Sequence, residues 1–258
     1  MSTLQQLAGL LFAATIGQQP AAVLVTPRVI EVGAFYSGAR LSVKGAAAPR
    51  SQVIIAIAGP DREERFKRKE RFGPFWMNAE RVEISGAPLL FLLFSTKPVA
   101  SLLSRETIAD LRLDEASVTA RIHIEPPPRN QAIGTALRSA FLALKKSEHL
   151  YAFRNSGISV RQAGDDCVPY RLEFHWPRKA PPARYTIHVY EVRDGELVNE
   201  ASVPLTVVRA GFPAWIASLA ENRASLYGLT AIFVGAVAGF GIDFLTTRLF
   251  GKKRAVSH

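Results

Sequence analysis

The hydrophobic and polar positions of this chain follow two different patterns, which divide it into a long body and a C-terminal helix. Over 23–208, short apolar runs alternate with polar residues and are separated by Gly- and Pro-containing turns. Turns at roughly ten-residue spacing are typical of an antiparallel β-sandwich. After Leu226 the alternation gives way to one continuous apolar run.

The body is predicted to be mainly β. Its clearest signal is a hairpin over 184–208, whose strands meet at Asp194-Gly195, a residue pair that favours a tight type I′ turn. Other strands are predicted at 30–32, 41–43, 52–58, 88–94, 118–124 and 170–175.

One helix stands out at 133–150, because Leu137, Ala140, Phe141 and Leu144 repeat at helical spacing. The predicted fold is an immunoglobulin-like β-sandwich over 22–209 with one or two short amphipathic helices. The body could also divide into two subdomains near 126–150.

The C-terminal run predicts a single membrane-spanning helix over 226–249. It carries no charge from Leu226 to Ile242, about 17 residues, and its length of roughly 34 Å suffices for a bilayer core. Asp243 interrupts the run, and the alternative is a buried helix of a soluble protein. Pro213 and Trp215 predict a short interfacial helix over 212–224 before the span.

Two features predict the topology. Residues 1–17 have the apolar centre of a signal peptide but no Lys or Arg, so an uncleaved anchor is the alternative. Lys252, Lys253 and Arg254, in the tail over 250–258, are expected to stay cytoplasmic. The chain is therefore predicted to be a single-pass protein of a bacterial inner membrane with a periplasmic body.

The net charge is +10, yet no nucleic-acid-binding motif accompanies it, and we expect no nucleic acid partner. The densest charge lies over 61–72, where Arg65, Lys67, Arg68, Lys69 and Arg71 form a candidate patch for anions or lipid headgroups. Four acidic residues share the segment, which favours a solvated hairpin of mixed charge instead.

No catalytic motif is present, so we expect neither an enzyme nor a cofactor. His123, His175 and His188 fall on predicted strands and are candidate metal ligands. A metal site needs three or four converging ligands, and the alternative is that these are ordinary strand histidines.

Gly235 and Gly239 form a GxxxG pattern inside the predicted span, which indicates a face for close packing against another helix. The partner helix would belong either to a second copy or to another protein. The pattern also occurs by chance in glycine-rich spans.

Several segments together resemble an alphaproteobacterial transmembrane protein family of uncharacterised function. They are 26–32, 42–46, Arg68-Lys69-Glu70-Arg71 with Trp76-Met77-Asn78, 95–98, the helix end at Leu150-Tyr151, the hairpin over 185–197 and the linker over 211–215. The resemblance implies no catalytic residues. Relatives encoded near permeases of the sulfite-exporter type imply an accessory subunit.

The first hypothesis is accordingly a non-enzymatic accessory or assembly subunit of a transporter or envelope complex. The second is a membrane-tethered periplasmic module that binds a ligand or a metal through the three histidines or the basic strip. An enzyme with a cleft that the sequence does not reveal is a third, weaker hypothesis.

Overall fold

The computed structural model describes residues 23–33, 35–72, 75–161 and 167–250. Strands take up 41% of the described residues and helices 32%, which confirms a mainly β protein with short helices and one apolar C-terminal helix. The predicted signal peptide at 1–17 and the tail after residue 250 lie outside the described residues.

Thirteen strands and six helices follow one another in the described residues. The strands are β1 Leu24–Thr26, β2 Val29–Val32, β3 Arg40–Ala47, β4 Gln52–Ala58, β5 Glu64–Phe72, β6 Phe75–Ser85, β7 Phe91–Ser95, β8 His123–Glu125, β9 Tyr151–Arg154, β10 Ile158–Val160, β11 Val168–His175, β12 Ala183–Arg193 and β13 Glu196–Arg209. The helices are α1 Val99–Leu102, α2 Arg105–Asp110, α3 Glu115–Ala120, α4 Gln131–Ser147, α5 Gly211–Asn222 and α6 Ala224–Phe250.

These strands form three sheets. The four-stranded sheet has the order β1-β3-β11-β10, the six-stranded sheet β2-β13-β12-β4-β7-β9, and the three-stranded sheet β5-β6-β8. All pairs are antiparallel except the two at the edges of the six-stranded sheet, β2 with β13 and β7 with β9.

The centre of the six-stranded sheet is buried on both faces. Ile54 and Ile55 point to opposite faces of β4, and each has no exposed surface. All five residues of β7 are buried as well. The continuous apolar run at 52–58 therefore reflects a strand that is covered from two sides.

The four-stranded sheet covers the first face. Phe94 of β7 contacts Phe174 of β11 with ring centroids 5.1 Å apart. Trp176, just after β11, packs edge-on against Tyr185 of β12 at 4.9 Å. These contacts bury the alternating apolar residues of both sheets in a sandwich-like core.

Helix α4 and the three-stranded sheet cover the second face. Phe141 of α4 makes edge-on ring contacts with Phe66 of β5 and with Tyr151 of β9. The body thus has three layers, and an immunoglobulin-like sandwich of two sheets does not account for the helical layer or the parallel edge pairs.

Two local predictions are confirmed and a third is wrong in part. Asp194 and Gly195 both have positive φ, 53° and 88°, as the predicted turn requires. Helix α4 confirms the predicted helix, and the Asn130 side chain caps it by accepting from the Ile133 N–H at 2.8 Å. The strand predicted over 118–124 is wrong in its first part, because 115–120 is α3 and only His123–Glu125 is a strand.

Helix α6 follows α5 directly. Among the described residues it is the one helix long and apolar enough to cross a membrane, over Ala224–Arg248, with a mean hydropathy of 1.8. None of the residues in the apolar window of this stretch is buried against the rest of the described chain.

A buried ion pair ties α4 to β5. The Lys145 side chain is 4% exposed and its ammonium contacts the Glu64 carboxylate, whose side chain is 26% exposed. Lys145 also lies over the Phe141 ring, 5.3 Å from its centroid. The pair therefore holds a charge in the apolar layer between helix and sheet.

Replacing Glu64 by Ala should lower the free energy of unfolding by about 3 kcal/mol, because it leaves the Lys145 ammonium buried without its partner. Urea unfolding of the full chain in detergent measures this. Glu115→Ala is the matched control: Glu115 pairs with Lys146 on the same helix, both being exposed by more than two fifths. It should cost below about 1 kcal/mol, and equal effects of the two variants would contradict the assignment.

Candidate functional site

A roomy pocket lies between the six-stranded sheet and the short helices α2 and α3. Its volume is about 430 Å³. Apolar and polar groups line it in similar proportion. They come from β4, β7, β12 and the chain around the two helices: Ala56, Ala58, Gly59, Asp61, Pro88, Phe91, Asp110, Leu111, Arg112, Val118, Arg121, His188 and Tyr190.

The pocket exists because β4 presents small side chains on this face. Ala56 and Ala58 stand opposite His188 and Thr186 of β12. Side chains two residues apart share a face of a strand, so the two alanines leave a depression beside the rings of His188 and Tyr190. Phe91 of β7 borders the depression on the other side.

Charged groups surround the rim. The Arg121 guanidinium contacts the Asp61 carboxylate, which ties the end of α3 to the turn after β4. Asp110 and Arg112 flank the end of α2, and Arg112 adopts a positive φ of 58° there. The two N-caps that position these helices are Ser104 and Asp114, whose side chains accept N–H groups three residues later.

The two rings of β12 lie nearly parallel. The His188 and Tyr190 centroids are 6.0 Å apart, with an angle of 6° between the planes. Nδ1 of His188 lies 3.5 Å from Oε1 of Glu200 on β13, and it makes no hydrogen bond to a described residue. Burial, followed by the nearby Glu200 carboxylate, raises the pKa of Tyr190 to about 12.

Such a pocket is suited to binding an amphipathic molecule. The alanines, Phe91 and the rings would cover an apolar part, while Asp110 and Arg112 lie at the rim for polar groups.

The structure does not bring the three candidate histidines together. His123 lies in the three-stranded sheet, His175 at the end of β11 in the four-stranded sheet, and His188 in the six-stranded sheet. In the part of the chain that the structure describes, no group of three His, Cys, Asp or Glu residues could hold a metal ion.

The basic strip lies on β5. Arg65 and Lys67 are exposed, and Arg65 pairs with Glu83 on the neighbouring strand β6. The side chains of Arg68, Lys69 and Arg71 lie outside the described part of the structure, and the strip as an anion patch stays a prediction.

Gly235 and Gly239 lie on an open face of α6. A Cβ atom added at either position would meet nothing within 4 Å. Asp243 follows Gly239 by four residues, the same spacing that separates the two glycines. Arg248 lies over the Phe244 ring, 5.6 Å from its centroid.

Sequence reasoning singled out one of the pocket residues, His188. The others come from five separate segments, which the pairing of β4 with β12 and β7 and the contact of Asp61 with Arg121 bring together. The small residues at Ala56 and Ala58, within an otherwise bulky apolar strand, were the available signal.

The chain matches the model of a known protein family. A family model with the description "Putative transmembrane protein (Alph_Pro_TM)" matches residues 22–248. No curated protein matches the chain.

The raised pKa of Tyr190 has a measurable consequence at alkaline pH. The fold favours the neutral phenol, so its contribution to stability is complete below about pH 10, the unfolded value, and is lost as the pH rises through about 12. Absorbance titration at 295 nm of the folded chain should show a step that Tyr190→Phe removes. A Tyr190 step near pH 10 would contradict the burial of this ring.

Proposed function

The chain belongs to the Alph_Pro_TM family of transmembrane proteins, and from this premise we propose that it is a non-enzymatic accessory or assembly subunit of a membrane complex. It would be a single-pass protein of the inner membrane, with a cleaved signal at 1–17, the body in the periplasm and the tail in the cytoplasm. The basic cluster at 252–254 and the uncharged apolar start support this orientation.

The observation that carries this proposal is the unpartnered face of α6. Small residues let two helices approach closely in a membrane. Gly235 and Gly239 are four residues apart and lie on one side of the helix. Bulky side chains, among them Phe233, Phe240 and Phe244, lie on the opposite side and are exposed. The glycine pair is suited to the close approach of a partner helix on its side of α6.

The proposed partner is a membrane permease of the sulfite-exporter type, or a second copy of this chain. The bilayer itself supplies the remaining contacts of α6. The absence of a catalytic motif in the sequence supports a role in docking or assembly.

The pocket favours a second candidate function, a membrane-tethered module that binds a small amphipathic ligand. Its volume of about 430 Å³ lies within the range usual for sites of small organic molecules. Such a module could serve as the ligand-binding part of the same complex.

Capture of the tagged full chain from its own membrane should recover a membrane partner in constant proportion. The Gly235→Leu variant and the Gly239→Leu variant should each lose most of this partner. The leucines would hold the two helix backbones apart. Quantitative mass spectrometry of the captured material measures the ratio.

Gly241→Leu is the matched control for this capture. Gly241 is also open, with nothing within 4 Å of an added Cβ, but it points at least about 120° away from the other two glycines. The control should retain the partner. Recovery of the tagged chain with neither another protein nor an untagged copy expressed beside it, or equal loss in all three variants, would overturn docking through this face.

For the second candidate, the purified full chain should retain a small molecule that Ala58→Phe excludes, because the ring would occupy the pocket. Mass spectrometry of small molecules released from the two denatured proteins makes the comparison. An unchanged melting temperature would show that the variant is folded. The same small molecules from both proteins would count against the pocket as their site.

A further inference from the structure

Phe35 is a large apolar side chain that nothing in the described body covers. It lies in the turn after β2, where the Tyr36 N–H donates to the Gly33 carbonyl at 3.2 Å. Its side chain is fully exposed, 100%. Its full exposure leaves the ring available to an apolar surface outside the body.

The position of this turn relative to the membrane anchor follows from strand pairing. Val32, the last residue of β2, is paired in parallel with Arg209, the last residue of β13. The Ala210 N–H then donates to the Val32 carbonyl at 3.0 Å, and α5 begins at the next residue. Phe35 therefore lies at the end of the body from which the chain runs to α6.

The same end of the body is basic. Arg40 begins β3 opposite His175, and the loop after β11 carries Arg178. The contact of Trp176 with Tyr185 places this end of the four-stranded sheet beside the start of β12. The arginines at this end that are at least partly exposed are Arg40, Arg178, Arg184 and Arg209, and the exposed Glu31 carries the opposite charge. Lys179 is paired with Glu148 at 2.9 Å.

We propose that this end of the body is a second membrane contact, in which Phe35 enters the interface of the leaflet from which α6 emerges. Phenylalanine, like tryptophan and leucine, enters the boundary between headgroups and acyl chains, and each arginine near anionic headgroups strengthens the attraction to the surface. The contact rests on α6 crossing the bilayer and on nothing else in the proposed function. It would fix how the body stands above the membrane.

The test uses the full chain in nanodiscs with Phe35→Trp and lipids brominated in their tails, which quench tryptophan at the acyl boundary. The parent chain, with its own tryptophans, gives the background to subtract. In discs of phosphatidylcholine with one quarter phosphatidylglycerol, at least half of the emission added by the introduced tryptophan should be quenched. Matching circular dichroism spectra would show that the variant is folded.

Glu196→Trp is the matched control. Glu196 is exposed and begins β13, so it lies about 44 Å along the strand from Arg209. Emission from a tryptophan at this position should be unaffected by brominated lipid. Equal quenching at both positions, or none at position 35, would overturn the proposal.

Reversing the charge of one arginine tests how much the anionic headgroups contribute to insertion of the ring at position 35. Adding Arg178→Glu to the Phe35→Trp chain should at least halve the quenching in anionic discs, whereas Arg193→Glu at the far end of β12 should leave it unchanged. Equal effects of the two reversals would refute a specific headgroup contact. Docking of a partner through Gly235 and Gly239 is measured by the separate capture experiment. The docking proposal and the membrane contact at Phe35 can therefore each fail without the other.

Discussion

The whole body depends on the burial of β4 and β7 on both faces. A strand that exposes only one apolar face can rest on a single core, but Ile54 and Ile55 are both inaccessible and face opposite ways. Each face must therefore be covered by a separate layer, at roughly 25 cal/mol for each Å² of apolar surface removed from water. The four-stranded sheet covers one face, and α4 with the three-stranded sheet covers the other.

The layer formed by α4 and the three-stranded sheet covers its face less completely, and this determines where polar groups can lie next to the six-stranded sheet. Near the Phe141 contacts the helical layer holds the buried Lys145–Glu64 pair. Beside α2 and α3 the two small residues of β4 leave the pocket instead. The Tyr151 hydroxyl, buried at the border of these regions, donates to the Pro88 carbonyl at 2.6 Å, so its burial costs no unpaired polar group.

Sequence reasoning succeeded where the signal is local. The Asp194-Gly195 turn, the spacing of Leu137 and Phe141 in α4, and the apolar run of α6 each depend on neighbouring residues only. The alternation over 118–124 competed with a local cap: the Asp114 side chain accepts the Ser117 N–H at 2.8 Å and starts α3. The run at 52–58 indicates burial but cannot reveal which layers provide it, and the pocket depends on those layers. For the same reason the histidines could not be assigned to a common site.

The anchor is connected to the body through β13, a strand that is paired on both sides. Strand β13 lies inside the six-stranded sheet between β2 and β12 and ends directly before α5, so any force on the anchor is shared by backbone hydrogen bonds on both of its sides. The pocket residues Ala56 and Ala58 pair with the first half of β12, which begins at the anchor end. The pocket thus lies in the half of the body nearest the anchor. A molecule bound beside His188 would lie about 24 Å along β13 from Arg209, where the chain leaves the sheet for α5.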